Sequence, residues 1–306
     1  MLRFIIVTLT LCLALTAQAE TPKVSAGKLV RLADFPSEHV PARHVDIWLP
    51  PDYSQEQSYA VLYMHDGQML FDGSTTWNNQ EWQVDEVASR LITTGKVQPF
   101  IVVGVHNGGA NRHSEYFPQR PFQALSKTQR QHQYTLRRSE SQKLFNQEVY
   151  SDRYLRFLVE ELKPYIDAHY SVRTGPAHTF IMGSSMGGLI SWYALAEYPR
   201  VFGGAACLST HWPGSFEADN NPIPERFLAY MHDRLPEPEE HRLYFDFGTE
   251  TLDAMYPPLQ ARVDNLMSDL GYTERLWQTR KFEGAAHTEN DWAKRLHHPL
   301  LFLLGN

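Results

Sequence analysis

The sequence predicts an α/β protein with a mostly parallel central sheet flanked by helices, and two observations carry that expectation. Short, nearly uninterrupted apolar runs recur at residues 59–64, 100–105, 179–182, 204–208 and 243–247. Runs of this kind suit strands covered on both faces. Between them, apolar residues fall at helical spacing, and strands alternating with helices imply βαβ units.

Taken in order, residues 44–49 alternate more and predict an antiparallel pairing at the start of the sheet. Val84, Val87, Ala88, Leu91 and Ile92 share one helical face, as do Leu155, Leu158, Val159 and Leu162. Leu259, Val263, Leu266, Met267 and Leu270 form a third face, closed by Gly271 at a C-cap position. Residues 276–282 read as another strand, and His297 and His298 fall in a last helix. Residues 119–141 break the rhythm. There Arg120, Lys127, Arg130, Arg137 and Arg138 face a single acid, Glu140, among many glutamines. The segment reads as a polar insertion, a surface excursion on one domain.

Composition bounds the class. A chain of 306 residues with 42% hydrophobic and 21% charged content is globular and long enough to bury a large core. Its formal net charge of −7 argues against nucleic acid or an anionic membrane surface as the main partner. Residues 1–19 carry Arg3, an apolar run and the small-x-small triplet Ala17-Gln18-Ala19. This is the pattern of a secretory signal peptide, leaving residues 20–306 as a periplasmic or secreted protein. The apolar run is shorter than the roughly 20 residues a bilayer span needs, so no membrane span is expected. Cys12 leaves with the leader and only Cys207 remains, so no internal disulfide is expected and the fold must stand on packing.

Residues 179–189, Thr-Phe-Ile-Met-Gly-Ser-Ser-Met-Gly-Gly-Leu, combine a strand, a tight turn and a helix start, with Gly-x-Ser-x-Gly across the turn. This is the nucleophile-elbow pattern, in which the serine takes a strained backbone state and the glycines let strand and helix approach. Ser185 fits it, whereas Ser184 has methionine at both glycine positions. A serine so placed needs an acid and then a histidine later in the chain. Asp253 and Glu250 both lie in the polar loop after residues 243–247, and either can orient a histidine. Asp253 is preferred because Glu250 stands so close to the strand end. His287, in a loop of small residues, is the expected base, with His297 and His298 as rivals. The oxyanion of a tetrahedral intermediate requires two backbone N–H donors; Met186 follows the serine, and Gln68 lies in the turn His65-Asp66-Gly67-Gln68 after an early strand.

The chain resembles the Putative esterase family of α/β-hydrolases, which includes feruloyl and acetylxylan esterases, siderophore esterases, S-formylglutathione hydrolases and mycolyl transferases. The resemblance runs over nearly the whole mature chain, through residues 63–72, 82–85, 102–105, 112–118, 161–167, 183–188 and 284–287 with Trp292. It implies an α/β-hydrolase fold, Ser185 as nucleophile, His287 as base, and Gln68 and Met186 as oxyanion donors. The acid loop and residues 119–141 match the family less well.

The expected activity is hydrolysis of a small-molecule or saccharide ester through an acyl-serine intermediate, with no cofactor. The alternatives are acyl transfer by the same triad, or a binding module that kept the fold. No His-Glu-x-x-His and no paired cysteines or histidines at zinc spacing occur, so no metal is expected. His106 and His113 read as surface-loop histidines, and Trp77, Trp82, Tyr116 and Trp212 as aromatics near the site loops.

Overall fold

A computed structural model describes residues 21–217 and 220–306, so the expected leader, residues 1–19, lies outside the described residues. Eight strands form one sheet: β1 (Lys28–Phe35), β2 (Arg43–Leu49), β3 (Ala60–His65), β4 (Phe100–Val105), β5 (Thr179–Ser184), β6 (Gly204–Leu208), β7 (Arg242–Phe247) and β8 (Trp277–Lys281). Their spatial order is β1-β2-β4-β3-β5-β6-β7-β8. Strand β2 pairs antiparallel with β1 and β4, and every other neighbouring pair is parallel.

Every residue of β3, β4, β5 and β6 is buried, which is why these strands read as continuous apolar runs. The period of two still sorts their side chains. Val61, Tyr63, Ile101, Val103 and Ile181 enter one hydrophobic layer, while Leu62, Met64, Val102, Phe180 and Met182 enter the other. The helices Pro257–Asp269 and Ile223–Arg234 cover the first face, and Val84–Thr93 and His297–Leu304 cover the second. In the helix Met186–Glu197 only Glu197 escapes burial, so it is apolar all round rather than striped. Among the described residues no helix is long and apolar enough to cross a membrane.

Three features depart from the sequence reading. Strand β1 was not signalled, because its residues KLVRLADF are half-buried or exposed and form no apolar run. The helix after residue 150 passes through a wider π-helical stretch, Phe157–Leu162, just before Pro164, whose nitrogen has no proton for an ordinary helical bond. Residues 119–141 are more than a solvated excursion. They carry the helices Gln119–Gln123 and Lys127–Gln133, and Phe122 and Leu125 are buried in the first layer. Phe122 packs 5.3 Å from both Phe117 and Tyr134, centroid to centroid. Two apolar anchors among so many polar residues were masked by the charge count.

Chain order places the site. From β3 the chain steps to β4 on one side, then returns to β5 on the other, so the sheet reverses direction at β3. A crevice opens at the carboxyl ends of strands flanking such a switch point.

Candidate active site

Strand β5 ends at Ser184 and a helix begins at Met186, which leaves Ser185 to make the whole turn with φ 59° and ψ −118°. A side chain at positive φ is strained, and the neighbourhood holds it there. The Ser185 N–H donates to the Leu208 carbonyl at 2.9 Å, and the Ser185 carbonyl accepts from the N–H groups of Gly188, Leu189 and His211 at 3.1, 3.2 and 3.2 Å. A Cβ on Gly183 would stand 2.9 Å from the Gly187 backbone, so strand and helix come this close only through glycine. Ser185 is 9% exposed and opens onto a cavity of about 710 Å³.

Two loops further along the sheet meet beside it. Asp253 lies in the turn Thr251–Met255 after β7 and is completely buried. One carboxylate oxygen accepts from His287 Nδ1 at 2.5 Å; the other accepts from the Ser209 hydroxyl at 2.5 Å and the Gly248 N–H at 2.6 Å. Burial opposes ionisation of Asp253, but these bonds outweigh it and hold the carboxyl below its ordinary value. The loop that presents His287 is tied to the same turn. The His287 N–H donates to Thr251 Oγ1 at 2.9 Å, and the Thr249 and Glu250 N–H groups both donate to the Ala285 carbonyl at 3.0 Å. The imidazole stands edge-on to Trp292, with centroids 5.0 Å apart, and lines the same cavity as Ser185. The rivals lie elsewhere: Glu250 is exposed, and His298 faces Arg280 at 3.1 Å on the last helix.

Met186 and Gln68 also line the cavity. Met186 opens its helix, and Gln68 sits in the short 3-10 turn Gly67–Met69, so both N–H groups fall in a first turn, where no intrahelical acceptor is available. The turn is cramped, since a Cβ on Gly67 would lie 2.5 Å from the Gly104 backbone. It is also braced. Asp66, at φ 56°, accepts from Arg112 at 2.6 and 2.7 Å and from Asn107 Nδ2 at 2.7 Å.

The model of the family described as "Putative esterase" matches residues 41–303. The chain belongs to that family. It is a carboxylic ester hydrolase. Among curated proteins it is 23% identical over 283 residues to "Uncharacterized protein YbbA" of Bacillus subtilis (strain 168), covering 88% of this chain and 96% of that one. Among solved structures it is similar to a ferulic acid esterase, with TM-score 0.63 and 19% identity over 90% of this chain and 97% of the other. It is also similar to the enterobactin esterase FES from Shigella flexneri, with TM-score 0.59 and 18% identity over 93% of this chain and 60% of that one.

The candidate site holds residues that sequence reasoning passed over. Ser209, at φ 42° just beyond β6, receives Trp292 Nε1–H at 3.0 Å and Arg295 Nη2–H at 2.8 Å while its own hydroxyl donates to Asp253. Arg295 also donates to Asp246 at 2.9 Å. Burial raises Asp246 to about 6, with the Arg295 charge working against the rise. Their local sequence carries no motif, and only the tertiary fold brings them behind the carboxylate.

Two expectations are corrected. His106 is not a free surface histidine but contacts Asp46 at 2.8 Å, and His113 is buried, its Nε2–H donating to the Gly214 carbonyl at 3.0 Å. Burial lowers His113 to about 3, so it is neutral at physiological pH. Of the four aromatics, Trp82, Tyr116 and Trp212 are buried, whereas Trp77 stands 84% exposed at the cavity mouth.

Proposed function

We propose that the protein is an exported serine esterase working through an acyl-serine intermediate. Ser185 attacks the ester carbonyl while His287 takes its proton, and Asp253 holds the imidazole with Nδ1–H toward the carboxylate so that Nε2 is free to act as base. The N–H groups of Gln68 and Met186 receive the oxyanion. His287 then returns the proton to the departing alcohol, and water repeats the cycle to release the acid. One observation carries this reading. A single cavity gathers the strained serine at the head of a helix, two first-turn N–H groups, and a histidine fixed at 2.5 Å to a buried, ionised aspartate. A binding module has no use for a serine held at φ 59°.

The ester is a small phenolic, carbohydrate or siderophore-type compound. The ferulic acid and enterobactin esterases among the structural neighbours support that range, and so does the cavity wall, which includes Arg138, Lys143 and Trp77. Arg138 belongs to the 119–141 segment, which we assign to the rim over the site. Residues 1–19 act as the export leader.

Labelling with a fluorophosphonate followed by peptide mass mapping tests the chemistry: the adduct is expected on Ser185 and nowhere else, and an active enzyme without an adduct there would overturn the assignment. N-terminal sequencing of the exported protein tests the leader, and the expected first residue is Glu20.

A further inference from the structure

Beside the Asp253–His287 pair stands a second pair of buried side chains that the reaction above does not use, with the Tyr256 ring 5.9 Å from the His287 ring, edge to face. Tyr256, 1% exposed, follows the turn that carries Asp253, and His211, 2% exposed, lies three residues past β6. The Tyr256 hydroxyl and His211 Nδ1 are 2.9 Å apart, and the same hydroxyl interacts with the Ser185 side chain. His211 lines the cavity, its N–H donates to the Ser185 carbonyl at 3.2 Å, and its Nε2 is buried with no hydrogen-bond partner among the described residues. A buried polar atom without a partner, on a side chain that lines a substrate cavity, is costly unless a ligand completes it.

Proton bookkeeping decides what that atom offers. With Ser185 as nucleophile, the reading on which this inference rests, the serine proton points to His287. On that assignment the Tyr256 hydroxyl directs its own proton toward Ser185 rather than toward His211 Nδ1, 2.9 Å away. Its oxygen then receives Nδ1–H from His211, and a neutral imidazole with its proton on Nδ1 presents a bare lone pair at Nε2. Burial, reinforced by His113, His287, Arg112 and Arg138 nearby, holds His211 well below its ordinary value, so it stays neutral.

We infer that His211 Nε2 is a specificity-determining acceptor for a hydroxyl or N–H donor carried by the substrate beside its scissile ester, with Tyr256 as the positioning residue that links this recognition to Ser185. An ester bearing such a donor completes the orphaned nitrogen. Its methyl ether leaves the nitrogen bare and is rejected.

The test uses two matched pairs: 4-nitrophenyl 3-hydroxypropanoate against 3-methoxypropanoate, and 2-hydroxyethyl against 2-methoxyethyl butyrate. The protein should favour the hydroxyl member of at least one pair by about tenfold or more in kcat/KM, and His211→Phe should collapse that ratio toward one. Absence of a preference, or equal losses on both members in the variant, would overturn the inference. Fluorophosphonate labelling is run alongside. An unlabelled Ser185 in the unaltered protein refutes the nucleophile assignment itself, whereas a labelled Ser185 with unchanged ratios refutes only the role of His211. Nitrogen-15 NMR of the unaltered protein needs no variant: the His211 ring is expected as the Nδ1–H form with no titration between pH 5 and 9, and an Nε2–H form sinks the proposal.

Discussion

The two walls of the cavity differ in how their polar groups are partnered. On the Asp253–His287 side, both carboxylate oxygens are engaged at 2.5 to 2.6 Å, and the loops behind them are cross-tied by backbone bonds. Beyond Tyr256, which packs against the His287 ring, His211 keeps a nitrogen with no hydrogen-bond partner among the described residues. There, burial and the like charge of Arg112 push the Arg138 guanidinium below its ordinary value. The contrast separates two jobs. Groups saturated before substrate arrives set the reactivity, because they need no reorganisation during the reaction. On the proposal above, groups left open gain partners only when substrate binds, and so they set selectivity.

The hardest way to break the closed wall is to remove the reacting groups. Ser185→Ala should lower kcat/KM on the order of 10⁴-fold or more, and His287→Ala should match it. The double variant should lose little more, since the pair acts as a unit. Steady-state rates on a 4-nitrophenyl ester check this, and additive losses would separate the two residues.

Asp253→Asn comes next, with an expected loss of about 10³- to 10⁴-fold from the wrong histidine tautomer, while Glu250→Gln should leave the rate nearly untouched. The same substitution has a stability signature. Because the folded-state value of Asp253 is depressed, its contribution is present above the unfolded value, near 4, and is lost as pH falls through the folded one. The gap in Tm between the unaltered protein and Asp253→Asn should be widest near neutrality and narrow below about pH 4. A gap that grows on acidification would contradict the ionised assignment.

The smallest effect sharpens the open wall. Arg138→Gln combined with Lys143→Gln should cut kcat/KM for a carboxylate-bearing ester by about three- to tenfold, and less for a neutral ester, with the difference shrinking as salt is added. Equal losses on both esters at every ionic strength would assign the two cations to packing rather than recognition.

The closed wall was also the more legible one. The strands β3 to β7 announce themselves as apolar runs because both faces are covered, and the Ser185 turn announces itself through its flanking glycines, of which Gly183 leaves no room for a Cβ. Ser209, Asp246 and Arg295 were invisible because their roles arise from contacts 37 to 86 residues apart in the chain. His211 was passed over because a single histidine beyond a strand carries no local signal; only its burial, its Tyr256 contact and its bare nitrogen distinguish it. The polar insertion misled in the opposite direction. Its charges were obvious, but Arg120 pairs with Glu197 and Arg130 caps the carbonyls of Gln123 and Leu125, so these two brace the segment itself.

The turn after β7 gives the two walls a shared mount. Asp253 lies within it and Tyr256 directly follows it, joined by a bond from the Tyr256 N–H to the Asp253 carbonyl at 2.9 Å. On the proposed mechanism one residue steers the base and the other neighbours the nucleophile, so a displacement of the turn shifts both in step rather than one against the other. Alignment errors at the reacting centre are therefore common-mode. Thermal wandering of this loop is expected to alter how often the site is competent as a whole, while the geometry of each competent encounter stays the same.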